Sequence, residues 1–239
     1  MMIDMHHHLI WGVDDGAETF AGTEKMLREA VANDVEAIIT TPHITPGQKM
    51  FPYEEYAAHL EQTRAWIREQ GIGIRLYTGS EVLYTQHTPR LLMEGKVPTL
   101  ADTQYVLVEF SPDDTFEYML KAGDGVASAG FIPVIAHVER CECLKKPDQL
   151  RLLRRRCNAL MQVNAGTVVR KHSFFRERYL RKLFAERLVD FVSTDSHDLP
   201  GRSSKMKAAY ETLTAEYGQE YARALTYGNA WKLLQESGQ

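Results

Sequence analysis

Seven times along the chain a short apolar run closes on a polar residue and gives way to a longer amphipathic stretch, and this repeat restricts the possible folds more than any other feature. The runs are "MIDMH", "VEAIITTPH", "IRLYTGSEV", "YVLVEF", "FIPVIAHVER", "ALMQVNAG" and "DFVSTDSH", ending near His6, His43, Glu81, Glu109, His137, Asn164 and Asp195. Neighbouring ends lie 27 to 38 residues apart, the length of one strand, loop and helix. Helical patterns such as "ETFAGTEKMLREAVAND" and "YEEYAAHLEQTRAWIREQG" stand between them, and a terminal pair of helices is expected from about Ser203 onward. Unbroken apolar segments such as "YVLV", "IPVIA" and "VDFV" suit strands buried on both faces, as in a parallel sheet covered by helices. Seven such units predict an α/β chain curled into a closed or nearly closed barrel, one unit short of the usual eight. No stretch rich in Pro, Gly or Ser divides the chain, so residues 1–239 are expected to form one domain.

Composition removes several function classes. A net charge of −4, with 44% hydrophobic and 25% charged residues, gives no electrostatic reason to bind nucleic acid, and no such partner is expected. No apolar run approaches the roughly eighteen residues of a membrane span, and the chain start lacks the basic and apolar regions of a secretion signal. A cytoplasmic protein, not embedded in a membrane, is expected. The three cysteines, Cys141, Cys143 and Cys157, are odd in number and lack paired metal or disulfide spacing, which suits a reducing compartment.

In parallel barrels the chemistry sits where strands end. Here those ends carry His6 and His8, His43, Glu81, Glu109, His137, and Asp195 with His197. Of nine histidines, five fall at strand ends. His6 and His8 are two apart and share one strand face, leaving His7 on the other as a structural residue; Asp195 and His197 repeat the spacing. A single histidine after a strand is usually a loop hydrogen-bonder. Five imidazoles and three carboxylates converging from six strands are instead the donor set of a metal centre, because unpaired carboxylates are otherwise costly to bring together. Eight donors exceed the needs of one ion, so two or three are expected, and imidazole with carboxylate and no thiolate suits Mn, Fe or Zn. Asp14 and Asp15, in "VDDG", are either further ligands or the start of an Asp-Gly turn. Glu18, just beyond, suits the start of the first helix.

Other nucleophiles are excluded by inspection. A cysteine phosphatase needs an arginine six residues after its cysteine, where this chain has Pro147, Gln149 and Val163. No Gly-x-Ser-x-Gly elbow and no phosphate loop ending in Lys-Ser or Lys-Thr occurs. Arg140 and Arg202 follow the ligands closely in sequence and are either loop arginines or a two-pronged anion clamp. Cations flanked by guanidinium groups make phosphate-ester hydrolysis by a metal-activated hydroxide the natural reaction. The candidate catalytic residues are thus Arg140, Arg202, His137 and Asp195. The run "RLLRRRC" reads as the solvated face of a helix, and in "SFFRERYLRK" packing of Phe174, Phe175 and Tyr179 is favoured over contact with a phosphorylated protein.

The motifs "DMHHH", "TPH", "GSE", "VEF", "AHVER" and "STDSHD" resemble those of the polymerase and histidinol phosphatase (PHP) superfamily. Within it, "HLIWGVDDGA", "ITTPH", "GSEV", "IAHVER" and "DSHDLPGR" are most similar to the manganese-dependent protein tyrosine phosphatases of bacterial capsule and exopolysaccharide loci. The resemblance implies a distorted (βα)7 TIM-like barrel, the PHP fold, with a trinuclear Mn2+ centre. It implies one ion on His6, His8, Glu81 and Asp195, a second on Glu81, Glu109 and His137, and a third on His43, His197 and Asp14 or Asp15. It also implies that Arg140 and Arg202 handle phosphate. The implied substrate is phosphotyrosine on a bacterial tyrosine kinase that regulates polysaccharide synthesis. His7 and Cys141 depart from the family pattern, and Asn164 is expected as an extra substrate contact. Three rivals stand beside this expectation: a phosphatase of a small monoester such as histidinol phosphate, an amidohydrolase, and a non-catalytic docking protein shaped by its metals.

Overall fold

The computed structural model describes residues 1–48, 50–198 and 202–237; Leu199, Pro200 and Gly201 of the "DSHDLPGR" motif lie outside them. All strands run parallel. They are β1 (Met2–His7), β2 (Val35–Thr40), β3 (His43–Ile44), β4 (Arg75–Tyr77), β5 (Glu81–Leu83), β6 (Tyr105–Glu109), β7 (Ile132–Ile135), β8 (Leu160–Asn164) and β9 (Phe191–Ser193). Hydrogen bonds join them in the orders β1-β2-β4 and β3-β5-β6-β7-β8-β9. The two ladders are the lower and upper parts of one curled sheet, because two of the seven expected strands are interrupted. "VEAIITTPH" breaks at Thr41 and Pro42, where proline has no N–H for a ladder. "IRLYTGSEV" breaks at Thr78–Ser80, where the Ala101 N–H donates to the Thr78 carbonyl (2.7 Å). Gly79 is required at this break, since a Cβ there would lie 2.8 Å from Ile39 Cγ2 and 3.0 Å from the Thr40 carbonyl. Joined across their breaks, β2 with β3 and β4 with β5 restore seven strand positions.

The ring closes between its first and last strands. Asp195 N–H donates to the His6 carbonyl (2.9 Å) and His8 N–H to the Ser196 carbonyl (3.1 Å). Deeper in the seam the buried Asp4 carboxylate accepts from Thr194 N–H (3.0 Å) and from its hydroxyl (2.5 Å). Burial pushes the Asp4 carboxyl up to about 6.

Helices cover the outside. The main ones are α1 (Phe20–Ala32), α2 (Tyr53–Glu69), α3 (Thr88–Met93), α4 (Phe116–Ser128), α5 (Pro147–Cys157), α6 (Ala165–Val169), α7 (Phe174–Ala185) and α8 (Met206–Tyr217). Thr19 caps α1 and Thr115 caps α4 through their side-chain oxygens. The expected terminal pair is α8 and a helical run from α9 (Gln219–Arg223) through a π turn (Ala224–Gly228) into α10 (Asn229–Gln235). Among the described residues no helix is long and apolar enough to cross a membrane.

Inside the ring, Ile3, Met5, Ala37, Ile39, Leu107, Val134 and Phe191 form one cluster with Ala230, Leu233 and Leu234 of α10. Glu236, just past α10, accepts from Tyr105 Oη at the start of β6 (3.2 Å), so the last helix plugs the end where strands begin. That leaves the opposite end, where strands finish, as the open mouth.

Two surface expectations have different outcomes. The arginines of α5 are solvated and ion-paired, Arg154 with Asp190 (2.6 Å) and Arg156 with Asp124 (2.5 Å). Phe174 and Phe175, however, are 73% and 80% exposed, and of the expected three aromatics Tyr179 alone packs inward, its hydroxyl bonding the Leu144 carbonyl (3.0 Å). The cause is helical phase: the buried face of α7 runs through Leu180, Leu183 and Phe184, and stepping back by threes and fours reaches 176 and 177.

Leu233 is 1% exposed in the barrel floor. Leu233→Ala is expected to cost about 2–5 kcal/mol, read from the midpoint of urea unfolding with its slope unchanged.

Candidate metal centre

Local backbone geometry delivers each side chain to the mouth. In β1 the pairing register shifts between Asp4 and His7, and this bulge turns the strand from Ile3 and Met5 facing the core to His6 and His8 facing the mouth. His7 falls outside the cluster; burial lowers its imidazole to about 3, so it stays neutral. His43, Glu81 and Glu109 stand on β3, β5 and β6. His137 and Asp195 follow β7 and β9 in left-handed backbone, with φ of 30° and 53°. Non-glycine residues there carry strain of about 1–3 kcal/mol each, here held by His137 N–H on Gln162 Oε1 (2.6 Å) and Asp195 N–H on the His6 carbonyl (2.9 Å). Gly16 is required as well, since a Cβ would lie 2.2 Å from the His8 carbonyl.

The side chains converge on Glu81, which is fully buried. Its Oε2 lies 3.2 Å from His6 Nε2, from His8 Nε2 and from His43 Nδ1, yet makes no hydrogen bond. His6 Nε2 and His8 Nε2 are themselves 3.2 Å apart. The other carboxylate oxygen, Oε1, is 3.0 Å from His137 Nε2, which is 3.4 Å from Glu109 Oε1. On the outer side Asp15 Oδ1 is 3.3 Å from His197 Nε2 and 3.4 Å from His43 Nε2. Three sets of donor atoms are each compact enough for one ion: His6, His8, Glu81 and Asp195; His43, Glu81 and Glu109; His8, Asp15, His43 and His197. Lone pairs crowded around an unbonded buried oxygen are poorly served by protons and well served by cations, and the imidazole and carboxylate donors fit Mn, Fe or Zn.

Around these donors lies a layer that fixes them. Asp14 enters none of the three sets: its Oδ2 takes His8 Nδ1 (2.7 Å) and His43 N–H (3.0 Å), and its Oδ1 takes Gly16 N–H (2.9 Å). Of the Asp14 and Asp15 pair, the structure thus brings Asp15 to the donor cluster and makes Asp14 the orienter of His8. Asp195 accepts from Arg140 Nη2 (2.6 Å), Arg202 Nη2 (2.8 Å) and Asn164 Nδ2 (2.8 Å). Asn164 is buried in this role, with its Oδ1 taken by Gln162 Nε2 (2.8 Å), so it is not the substrate contact expected from sequence. Gln162 and Glu139, which bonds Asn164 N–H (3.1 Å) and Thr167 Oγ1 (3.0 Å), are not legible in the sequence as site residues. The available signal is parity, since Gln162 and Asn164 share one face of β8.

Charge within the cluster is strongly coupled. Burial opposes ionisation of Asp195 and Glu81, but the histidines around both, and Arg140 beside Asp195, outweigh it and hold both carboxyls well below the usual range. Burial likewise disfavours a charged His8, yet Asp14 and Glu81 lift it to about 10; Glu109 and Glu81 do the same for His137. Burial, helped by His8 and Arg202, lowers His197 to about 4. Burial pushes the Cys141 and Cys157 thiols up to about 12, which rules them out as thiolate nucleophiles near neutral pH.

The sequence pattern of the family described as "Capsular polysaccharide synthesis, CpsB/CapC" matches residues 2–235. The tyrosine-protein phosphatase CpsB of Streptococcus pneumoniae is 30% identical over 98% of this chain and 99% of its own length. A crystal structure from the pair YwqE of Bacillus subtilis and CpsB of S. pneumoniae, described as unique metal-dependent tyrosine phosphatases, superposes with a TM-score of 0.88 at 29% identity, covering 99% of this chain and 95% of that one. Histidinol phosphate phosphatase of Lactococcus lactis, at 16% identity and a TM-score of 0.54 over 99% of this chain and 94% of its own, shares the fold.

Because His8 and His137 hold protons to about pH 10, a cation must displace them. Divalent-cation affinity is therefore expected to rise between pH 6 and 8 by about tenfold per pH unit for each proton released, measurable by calorimetry in buffers of differing ionisation heat. Asp14→Asn is expected to weaken that affinity about 10- to 100-fold through loss of His8 orientation, in the same titration.

Proposed function

The chain belongs to the CpsB/CapC family of capsular polysaccharide synthesis proteins, and from that premise we propose that it is a metal-dependent protein-tyrosine phosphatase whose substrate is a phosphorylated bacterial tyrosine kinase controlling capsule or exopolysaccharide synthesis. The observation that carries this reading is the convergence of three overlapping donor sets, two of them sharing Glu81, with two arginines clasping Asp195 beside them. His6, His8, Glu81 and Asp195 would hold one Mn2+; Glu81, Glu109 and His137, with His43 close by, a second; His43, Asp15 and His197, with His8, a third. Fe or Zn has the same donor preference. When bound, such ions supply Lewis acidity toward phosphoryl oxygens and a nucleophile drawn from water at neutral pH.

The chain's own residues supply the rest. Arg140 and Arg202 each give one nitrogen to Asp195, while their side chains remain 40% and 33% exposed. The outer edges of the two guanidinium groups, that of Arg202 with its Nη1 4.0 Å from Asp15 Oδ2, would receive a tetrahedral dianion in the two-pronged geometry that suits phosphate. Their positive charge opposes the negative charge that builds on the phosphoryl oxygens as the ester bond breaks. Asn164 and Gln162 hold Asp195 and His137 in place during this change. The leaving group of phosphotyrosine is a phenol of pKa about 10, so its departure demands little proton donation. A cytoplasmic location follows from this choice of substrate.

The test compares protein stripped of metal with and without added Mn2+, on a phosphotyrosyl peptide and on histidinol phosphate. Manganese-dependent release from the peptide is expected; preference for histidinol phosphate would move the chain to the small-monoester branch. Asp195→Ala and His137→Ala are expected to abolish turnover with circular dichroism unchanged. Arg140→Ala is expected to lower kcat by about 10²- to 10³-fold.

A further inference from the structure

The donor cluster is open on one side. Asp15 and His43 are its exposed members, and both line a cavity of about 410 Å3. A group held at Asp15 and His43 has this space beside it. Its remaining walls are largely apolar, Val13, Ile44, Met50, Phe51 and Pro52, with Gly12, Asp14 and Thr45 among them. Among the described residues no carboxylate other than Asp14 and Asp15 lines it, and Asp14 is already engaged by His8 and backbone amides. An aryl group suits these walls, whereas a charged amine gains little from them.

A second cavity, of about 700 Å3, adjoins the first across Ile44, Thr45, Met50 and Phe51, which line both. Beyond that shared wall stand Tyr53, Tyr56, Leu91, Val97 and Pro98, with Gln48, Thr78, Lys96 and Asp102 as the polar part of a mainly apolar lining. Contacts at Pro46 and Tyr53 hold the segments on either side. Thr85 Oγ1 donates to the Pro46 carbonyl (2.7 Å) and Tyr53 Oη to the Lys96 carbonyl (2.6 Å). Phe51 packs edge-on against Tyr53 and Tyr56, with ring centroids 4.9 and 5.7 Å away. Both cavities are therefore formed before any substrate arrives, as is usual for ligand sites. Hydrolysis of a small monoester has no use for the second cavity.

We propose that the two cavities form one peptide groove, the first taking the ring of phosphotyrosine and the second a large apolar side chain close to it in the same peptide. This rests on the phosphatase reading above and adds to it a sequence preference in the substrate. The occupant is fixed by continuity. A chain anchored by its phosphate at the metal centre and by its ring beside Asp15 and His43 is carried past Met50 and Phe51 into the larger, apolar space. Burial of a Leu, Met or Phe side chain there lowers KM and leaves the chemical step alone.

The experiment uses the Mn2+-loaded full chain and three substrates: p-nitrophenyl phosphate, a phosphotyrosyl peptide with leucines on both sides of the tyrosine, and the same peptide with serines there. The wild-type chain is expected to favour the leucine peptide by about tenfold or more in kcat/KM, through KM. Leu91 and Pro98 line only the second cavity; Leu91→Arg and Pro98→Glu are each expected to erase that preference and leave p-nitrophenyl phosphate turnover unchanged. Equal kcat/KM for the two wild-type peptides, or a preference that survives in whichever variant folds, overturns the groove and leaves the phosphatase reading standing. No metal-dependent turnover of p-nitrophenyl phosphate or either peptide overturns both.

Discussion

Everything at the barrel mouth depends on compensating the charge of side chains that are buried from bulk solvent. His6, His8, Glu81 and Asp195 are all buried, and Glu81 presents one oxygen to three imidazoles at once. An uncompensated carboxylate in such a place is prohibitively unfavourable. The chain meets this with imidazoles on one side of Asp195 and two guanidinium groups with an amide on the other. The fold around the site is the arrangement that lets these opposite charges be held at hydrogen-bond distance without collapsing onto one another.

Regular strands would not achieve it. Strict alternation from Ile3 and Met5 would send His7 into the mouth, and the bulge in β1 substitutes His6 and His8. The left-handed turns at His137 and Asp195 do the same at two other strand ends. The breaks at Pro42 and Gly79 shift the upper halves of two strands, so His43 and Glu81 stand side by side in a ladder of their own. Irregularity is concentrated where the ligands are, and the barrel floor beneath them is plain apolar packing closed by α10.

Most of the barrel is legible in the sequence because its signal is periodic. Seven apolar runs at near-constant spacing correspond to seven strand positions, and each expected strand-end donor stands at the mouth. The grouping that the resemblance implies differs from the compact donor sets in two places: His43 rather than His137 stands with Glu81 and Glu109, and His8 joins His43, His197 and Asp15. What cannot be read is anything set by backbone departure from the period or by contacts distant in sequence. Asp14 and Asp15 are neighbours of identical type, and only the turn at Gly16 decides which one reaches the cluster. Gln162 and Asn164 look like ordinary polar strand residues until His137 is folded against the first and Asp195, 31 positions away, against the second. Phe174 and Phe175 are expected to pack because they are aromatic, yet the phase of α7, set by Leu180 and Leu183, turns them outward.

The seam between β1 and β9 joins residues made far apart in synthesis. Met5 and Ser193, bonded across it, are 188 positions apart. At about 5–20 residues per second, the histidines of "DMHHH" emerge on the order of ten seconds or more before Asp4 can meet Thr194. Throughout that interval the nascent chain carries half of a charge-matched pair of segments, and no local structure can stand in for the other half. A ribosome that stops short of residue 195 releases an open ring with unmatched imidazoles and a bare sheet edge, the kind of chain that proteases and chaperones recognise. Completeness of translation is thus written into the active-site geometry itself.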